Sequence, residues 1–186
     1  MIARALLLSI LISGFCFAQS SRKPLFPLPT SLSEFTKSKT ISPELRSAIA
    51  PAIARSACKP NGDESYGTAS VDLHEAHVTL VRVVEPCLCG PSANCPVYAV
   101  EKGKLVLPDG EGFAYAVSQN PKSSTPDLLI ASHLSSKVTS LQRYRWKGGR
   151  LKLQDCESAV PKDGANGDRW DPEQLETTTC DAIAIK

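Results

Sequence analysis

The amino-acid sequence predicts a mainly β domain with an N-terminal helix, arranged as an antiparallel meander or small sandwich and stabilised by disulfides. Three observations carry this expectation. Short runs rich in β-branched residues recur from about Thr68 to Cys156, Gly- and Asp-bearing turns separate them, and six cysteines remain once an N-terminal leader is set aside. The chain has 186 residues, 42% hydrophobic and 22% charged. That suffices for one core of ordinary size and argues against a large multidomain enzyme. Its 21 Lys and Arg against 19 Asp and Glu give a formal charge of +2. This is too balanced for the basic field that nucleic acid or an anionic membrane requires, so no nucleic-acid partner is expected.

Residues 1–18 read as a signal peptide. Arg4 supplies the positive end, Ala5 to Ile12 is an apolar run, and Ala18 is a short residue at the cleavage point, so the mature chain is expected to start at Gln19. The run falls short of the roughly 20 apolar residues of a spanning helix, and Phe15 stands before Cys16 where lipidation signals place a small residue. No membrane span is expected after cleavage, and the protein is expected to be secreted or periplasmic. Cleavage also removes Cys16, leaving Cys58, Cys87, Cys89, Cys95, Cys156 and Cys180, an even number suited to an oxidising compartment.

Residues 19–40 carry several prolines, many Ser and Thr and little apolar periodicity, which predicts a flexible arm ahead of a single β-rich domain over 41–186. A helix is expected from Ser42 to about Ala57. Ser42 suits the N-cap, Pro43 the first helical position and Glu44 the positive helix end, while Leu45, Ile49, Ala52 and Ile53 make one apolar face and Pro51 should kink it. The strands are expected at Thr68–Leu73, His77–Val84, Pro96–Glu101, Leu105–Leu107, Phe113–Ser118, Leu128–Ser132, Val138–Trp146 and Arg150–Cys156. Turns are expected at Lys102-Gly103, at Asp109-Gly110 and at Lys147-Gly148-Gly149, the last closing the hairpin RYRWKGGRLKL. The chain beyond Cys156 is polar until Cys180 and a short apolar run.

The densest feature is CLCGPSANC, residues 87–95. Cys87 and Cys89 stand two apart on an extended chain, so each can reach a different partner, and Cys89 with Cys95 across the intervening turn is the preferred pair. Cys156 with Cys180 and Cys58 with Cys87 complete one of many possible connectivities. A zinc site from Cys87, Cys89 and Cys95 with His74 or His77 is disfavoured, because C-x-C-x5-C lacks the C-x2–4-C knuckle of structural sites. With no C-x-x-C, a redox role has no support.

Other polar groups are dispersed. In VDLHEAHVTL a continuous strand would set Asp72 and His74 on one face and Glu75 and His77 on the other, and a tight turn at Glu75-Ala76 is the route by which the histidines could meet. Asp163, Asn166, Asp168, Asp171 and Glu173 offer oxygen ligands for calcium, but not in the EF-hand order. His133 could serve a Ser/His/Asp set, yet no G-x-S-x-G elbow accompanies it, and no nucleotide-binding glycine motif is present. No cofactor, metal or catalytic residue is assigned on these grounds.

The stretches CGPSANCPVYAV, PDLLIAS and QRYRWKGGRLKL together resemble a pattern in uncharacterised exported bacterial proteins. In those proteins a short loop closed by Cys-Pro precedes a strand, a P-D-L strand follows, and a late hairpin reads Y-R-[WF]-x-G. The resemblance covers about residues 68–156 and implies a small secreted β-rich domain with no assigned activity. The aspartate-rich stretch that often precedes such P-D-L strands is replaced here by SQNPKSST. The expected function is a binding or inhibitory module directed at a protein or envelope component. The alternative is a secreted hydrolase, with or without the assistance of a metal, built on His133 or on His74 and His77, and a purely structural envelope role is a third reading.

Overall fold

A computed structural model of the protein describes residues 24–56, 58, 62–90, 92–119, 125–162 and 170–179. In chain order the elements are β1 (Ser33–Glu34), β2 (Thr36–Ser38), α1 (Pro43–Ala54), β3 (Ser65–Asp72), β4 (His77–Val84), β5 (Cys95–Glu101), β6 (Lys104–Gly112), β7 (Ala114–Ser118), β8 (Asp127–His133), β9 (Thr139–Trp146), β10 (Leu151–Pro161), a 3-10 turn at Pro172–Gln174 and β11 (Leu175–Thr179). Among the described residues the fold is mainly β with one helix, as the sequence predicts, and the sandwich is the form it takes. One antiparallel sheet runs β1-β7-β8-β9-β10-β11 and the other β2-β3-β4-β5-β6.

Strand alternation explains the layers. Val78 and Leu80 of β4, Val97 and Ala99 of β5 and Leu107 of β6 meet Leu128 and Ile130 of β8 and Tyr144 of β9 in a buried cluster between the sheets. The opposite faces are apolar too. Val81, Val83, Tyr98 and Val100 receive Ile49 and Ala52 of α1, while Leu129, Ala131 and Leu141 receive Phe26. A central strand covered on both sides needs a continuous apolar run, which is why DLLIAS is buried throughout. Each fully buried Leu or Ile contributes about 1.5–3 kcal/mol by leaving water.

The helix begins as expected, with Leu45 N–H donating to Ser42 Oγ at 3.2 Å, and continues through Pro51. It ends at Ala54 with Arg55 as its cap, just past the last residue of the apolar face, Ile53, and short of the expected end near Ala57. The hairpin of β9 and β10 closes through Gly148 and Gly149, both at positive φ, with Lys147 N–H donating to the Arg150 carbonyl at 2.9 Å.

Three expectations need correction. Residues 24–40 are not a free arm. Phe26 and Phe35 are buried, β1 pairs with β7, and β2 pairs with β3, so this segment crosses from one sheet to the other and closes one side of the sandwich. The physical reason is tertiary: isolated aromatics among prolines gain no local periodicity but fill gaps left by both sheets.

Asp109-Gly110 is not a turn, because β6 runs on to Gly112. A Cβ at Gly112 would lie 2.5 Å from the Ala131 carbonyl oxygen, so glycine here permits the close approach of β6 to β8 where the chain passes between sheets. The polar tail also yields a strand, β11, whose Thr-rich sequence pairs with the extended end of β10.

Two expected disulfides are present, Cys89–Cys95 with Cα atoms 4.1 Å apart and Cys58–Cys87 at 5.7 Å. The expected partner of Cys156, Cys180, lies outside the described residues, as do residues 1–18. Among the described residues no helix is long and apolar enough to cross a membrane, a statement that concerns helices alone.

Candidate functional site

A groove with a volume of about 890 Å³ lies at one end of the sandwich. This is within the range of small-molecule sites, roughly 300–1,000 Å³. It is bounded by the crossing segment (Leu32, Glu34, Phe35, Lys37, Lys39), by β3 and β4 (Tyr66, Gly67, Arg82), and by Phe113 and Trp170.

Alternation along β4 places Arg82 here. Val78, Leu80 and Arg82 share one face; the first two enter the core between the sheets, so the third emerges where that core ends. Lys37, Gly67 and Arg82 occupy one register row across β2, β3 and β4. Two strand spacings put the Cα atoms of the two cations about 10 Å apart, with a glycine between them. That glycine is required by packing, since a Cβ at Gly67 would meet Phe35 Cβ at 2.6 Å.

Arg82 is held in place by backbone. Its Nε donates to the Gly112 carbonyl at 2.9 Å, and one Nη donates to the Ala93 carbonyl at 2.9 Å and approaches Cys95 Sγ at 3.3 Å. These contacts fix the guanidinium without neutralising it, and no carboxylate among the described residues forms an ion pair with it. Burial lowers its pKa from the ordinary arginine value. Lys37 and Lys39 also lack an ion-pair partner among the described residues, and Glu34 is the one acid on the groove wall.

The disulfide-closed loop expected to present a rigid surface abuts this groove. Asn94 Nδ2 donates to the His133 carbonyl at 2.6 Å, and His133 N–H donates to Asn94 Oδ1 at 2.7 Å. The His133 ring stacks on Phe113, centroids 3.8 Å apart and planes 4° from parallel. Burial, with Arg82 adding to it, lowers the imidazole pKa. His133 therefore anchors the loop through its backbone and packs through its ring.

The His74 and His77 region forms a second, shallower depression of about 590 Å³. The chain does turn there: Leu73 N–H donates to the Ala76 carbonyl at 2.9 Å, which makes Asp72 and His77 cross-strand partners. Asp72, His74, Glu75 and His77 all border this depression, together with Glu44 and Glu101, so the turn does bring the histidines to one place. Two of their contacts lie within the hairpin and one reaches the segment leading into β8 of the other sheet. Asp72 Oδ1 accepts from His74 N–H at 2.8 Å, His77 Nε2 pairs with Ser70 Oγ at 2.8 Å, and Glu75 Oε1 accepts from Thr125 Oγ1 at 3.2 Å. No group of three or more His, Cys, Asp or Glu among the described residues is arranged to hold a metal ion.

Cys87, Cys89 and Cys95, weighed and disfavoured as zinc ligands, are all in disulfides. Of the calcium candidates, Asp163, Asn166 and Asp168 lie outside the described residues. Asp171 instead caps the 3-10 turn, its Oδ1 accepting from Glu173 N–H at 3.1 Å. Sequence reasoning missed Arg82, Lys37 and the aromatic walls. The available signal was a single arginine at the inward phase of VTLVRVV, where its same-face neighbours are apolar. Comparison of the chain with family models, curated proteins and solved structures gives no match in any of the three.

Proposed function

We propose that the protein is an exported binding or inhibitory module that takes its ligand in the groove at the end of the sandwich. The observation that carries this reading is Arg82, a half-buried guanidinium fixed by two backbone carbonyls and facing a groove of ligand size. A group preorganised in this way reduces the ordering cost of binding. The disulfide-closed loop and the Asn94–His133 pair brace the same end of the molecule, which further favours a rigid binding surface. Export rests on the leader-like residues 1–18 and agrees with the two disulfides, which persist in oxidising compartments.

Trp170 supplies the test. It lines the groove and is fixed by its Nε1–H, which donates to the Pro29 carbonyl at 2.9 Å. A screen of fragment-sized organic molecules should yield ligands that change tryptophan emission, and Trp170→Phe should abolish the change. Ligands that bind by calorimetry yet leave the Trp170 signal untouched would count against the groove.

A further inference from the structure

We infer that the groove selects organic anions, with a carboxylate or phosphate group set against Arg82 and an apolar body lying along Phe35, Phe113 and Trp170. This deepens the binding reading and rests on it. Three observations carry it. First, Arg82 and Lys37 stand in one register row with only a glycine between them, so their positive charges reinforce each other over the same opening. Second, neither cation has an ion-pair partner among the described residues, although both border the groove. Third, the Arg82 contacts use Nε and one Nη, leaving the other Nη without a hydrogen-bond partner among the described residues.

A partly desolvated cation is costly without a counter-charge, and a ligand anion would remove that cost with charge-assisted hydrogen bonds. Glu34 on the same wall limits the positive surface to the side of Lys37 and Arg82. The anionic group is therefore expected at the β2–β3–β4 row, and the apolar body against the aromatic walls.

The experiment compares four ligands of one chain length, each below its micelle-forming concentration: octanoate, octyl phosphate, octanol and octyltrimethylammonium. Affinities are read from tryptophan emission and by calorimetry on the intact protein. At least one of the two anions should bind about tenfold or more tightly than octanol. That advantage should fall in Arg82→Gln and in Lys37→Gln, the latter a surface change that leaves the core untouched. Comparison of octanoate with octyl phosphate identifies the head group. Equal binding of octanol and both anions, or tighter binding of the cation, overturns anion selectivity while leaving the groove as a binding site. If no ligand of the series binds, the inference is likewise overturned, whereas the groove itself is judged by the wider fragment screen.

Discussion

The side chain of Asn94 is paired with the backbone of His133 through two hydrogen bonds, one donated at 2.6 Å and one accepted at 2.7 Å. This pair joins the disulfide-closed loop of one sheet to the end of β8 in the other. Asn94→Ala strands a backbone N–H and a carbonyl at a half-buried place, so it should cost about 1–3 kcal/mol. Urea unfolding checks this, and an unchanged midpoint would show that the pair contributes nothing.

His133 should make stability depend on pH. Burial and Arg82 lower its pKa in the folded protein, so the unfolded chain takes up the proton more readily. The contribution is present in full above the ordinary histidine value, near pH 6.5, and is lost as the pH falls through that value toward the folded one. Thermal midpoints from about pH 7 to pH 5 should therefore decline more steeply in the natural protein than in His133→Phe, which keeps an aromatic ring against Phe113. Parallel declines would remove His133 from the account.

Gly67→Ala should be disproportionately damaging for one methyl group. Its Cβ would meet Phe35 Cβ at 2.6 Å, and Phe35 is buried against Tyr115, ring centroids 5.2 Å apart. Displacing that ring disturbs the crossing segment as well as the groove. A loss of about 1–3 kcal/mol is expected from overpacking, measured by denaturant unfolding. A variant as stable as the natural protein would mean that Phe35 moves aside freely.

Removing the disulfides should rank by loop length. Cys58–Cys87 spans 29 positions and Cys89–Cys95 spans 6. Loop-closure entropy gives about 3–4 kcal/mol for the first and about 2 kcal/mol for the second. Paired Cys→Ser variants measured by calorimetry test the order, and a costlier short loop would show that the turn depends on its disulfide for more than chain entropy.

The strands were legible where residues repeat their environment. His77–Val84 has the predicted bounds, because its branched apolar residues serve two buried faces. The Cys89–Cys95 pair was legible for a similar local reason, since a short turn between two thiols needs no distant partner to bring them together. The crossing segment was not legible: Phe26 and Phe35 acquire their burial only after both sheets exist. Gly110 misled for the opposite reason: a glycine that suits a turn equally suits a close approach between strands, and a Cβ there would lie 2.7 Å from the Val97 carbonyl oxygen. The groove depends on Lys37 and Arg82, distant in sequence, meeting across β3, and neither belongs to a local motif.

The most direct test is a backbone-amide map of the isotopically labelled protein, recorded by nuclear magnetic resonance with and without octanoate. Octanoate should shift the amides of Lys37, Gly67, Arg82 and Phe113 most, and these shifts should weaken in Arg82→Gln. Shifts confined to the His74–His77 turn, with the sandwich end unchanged, would contradict it.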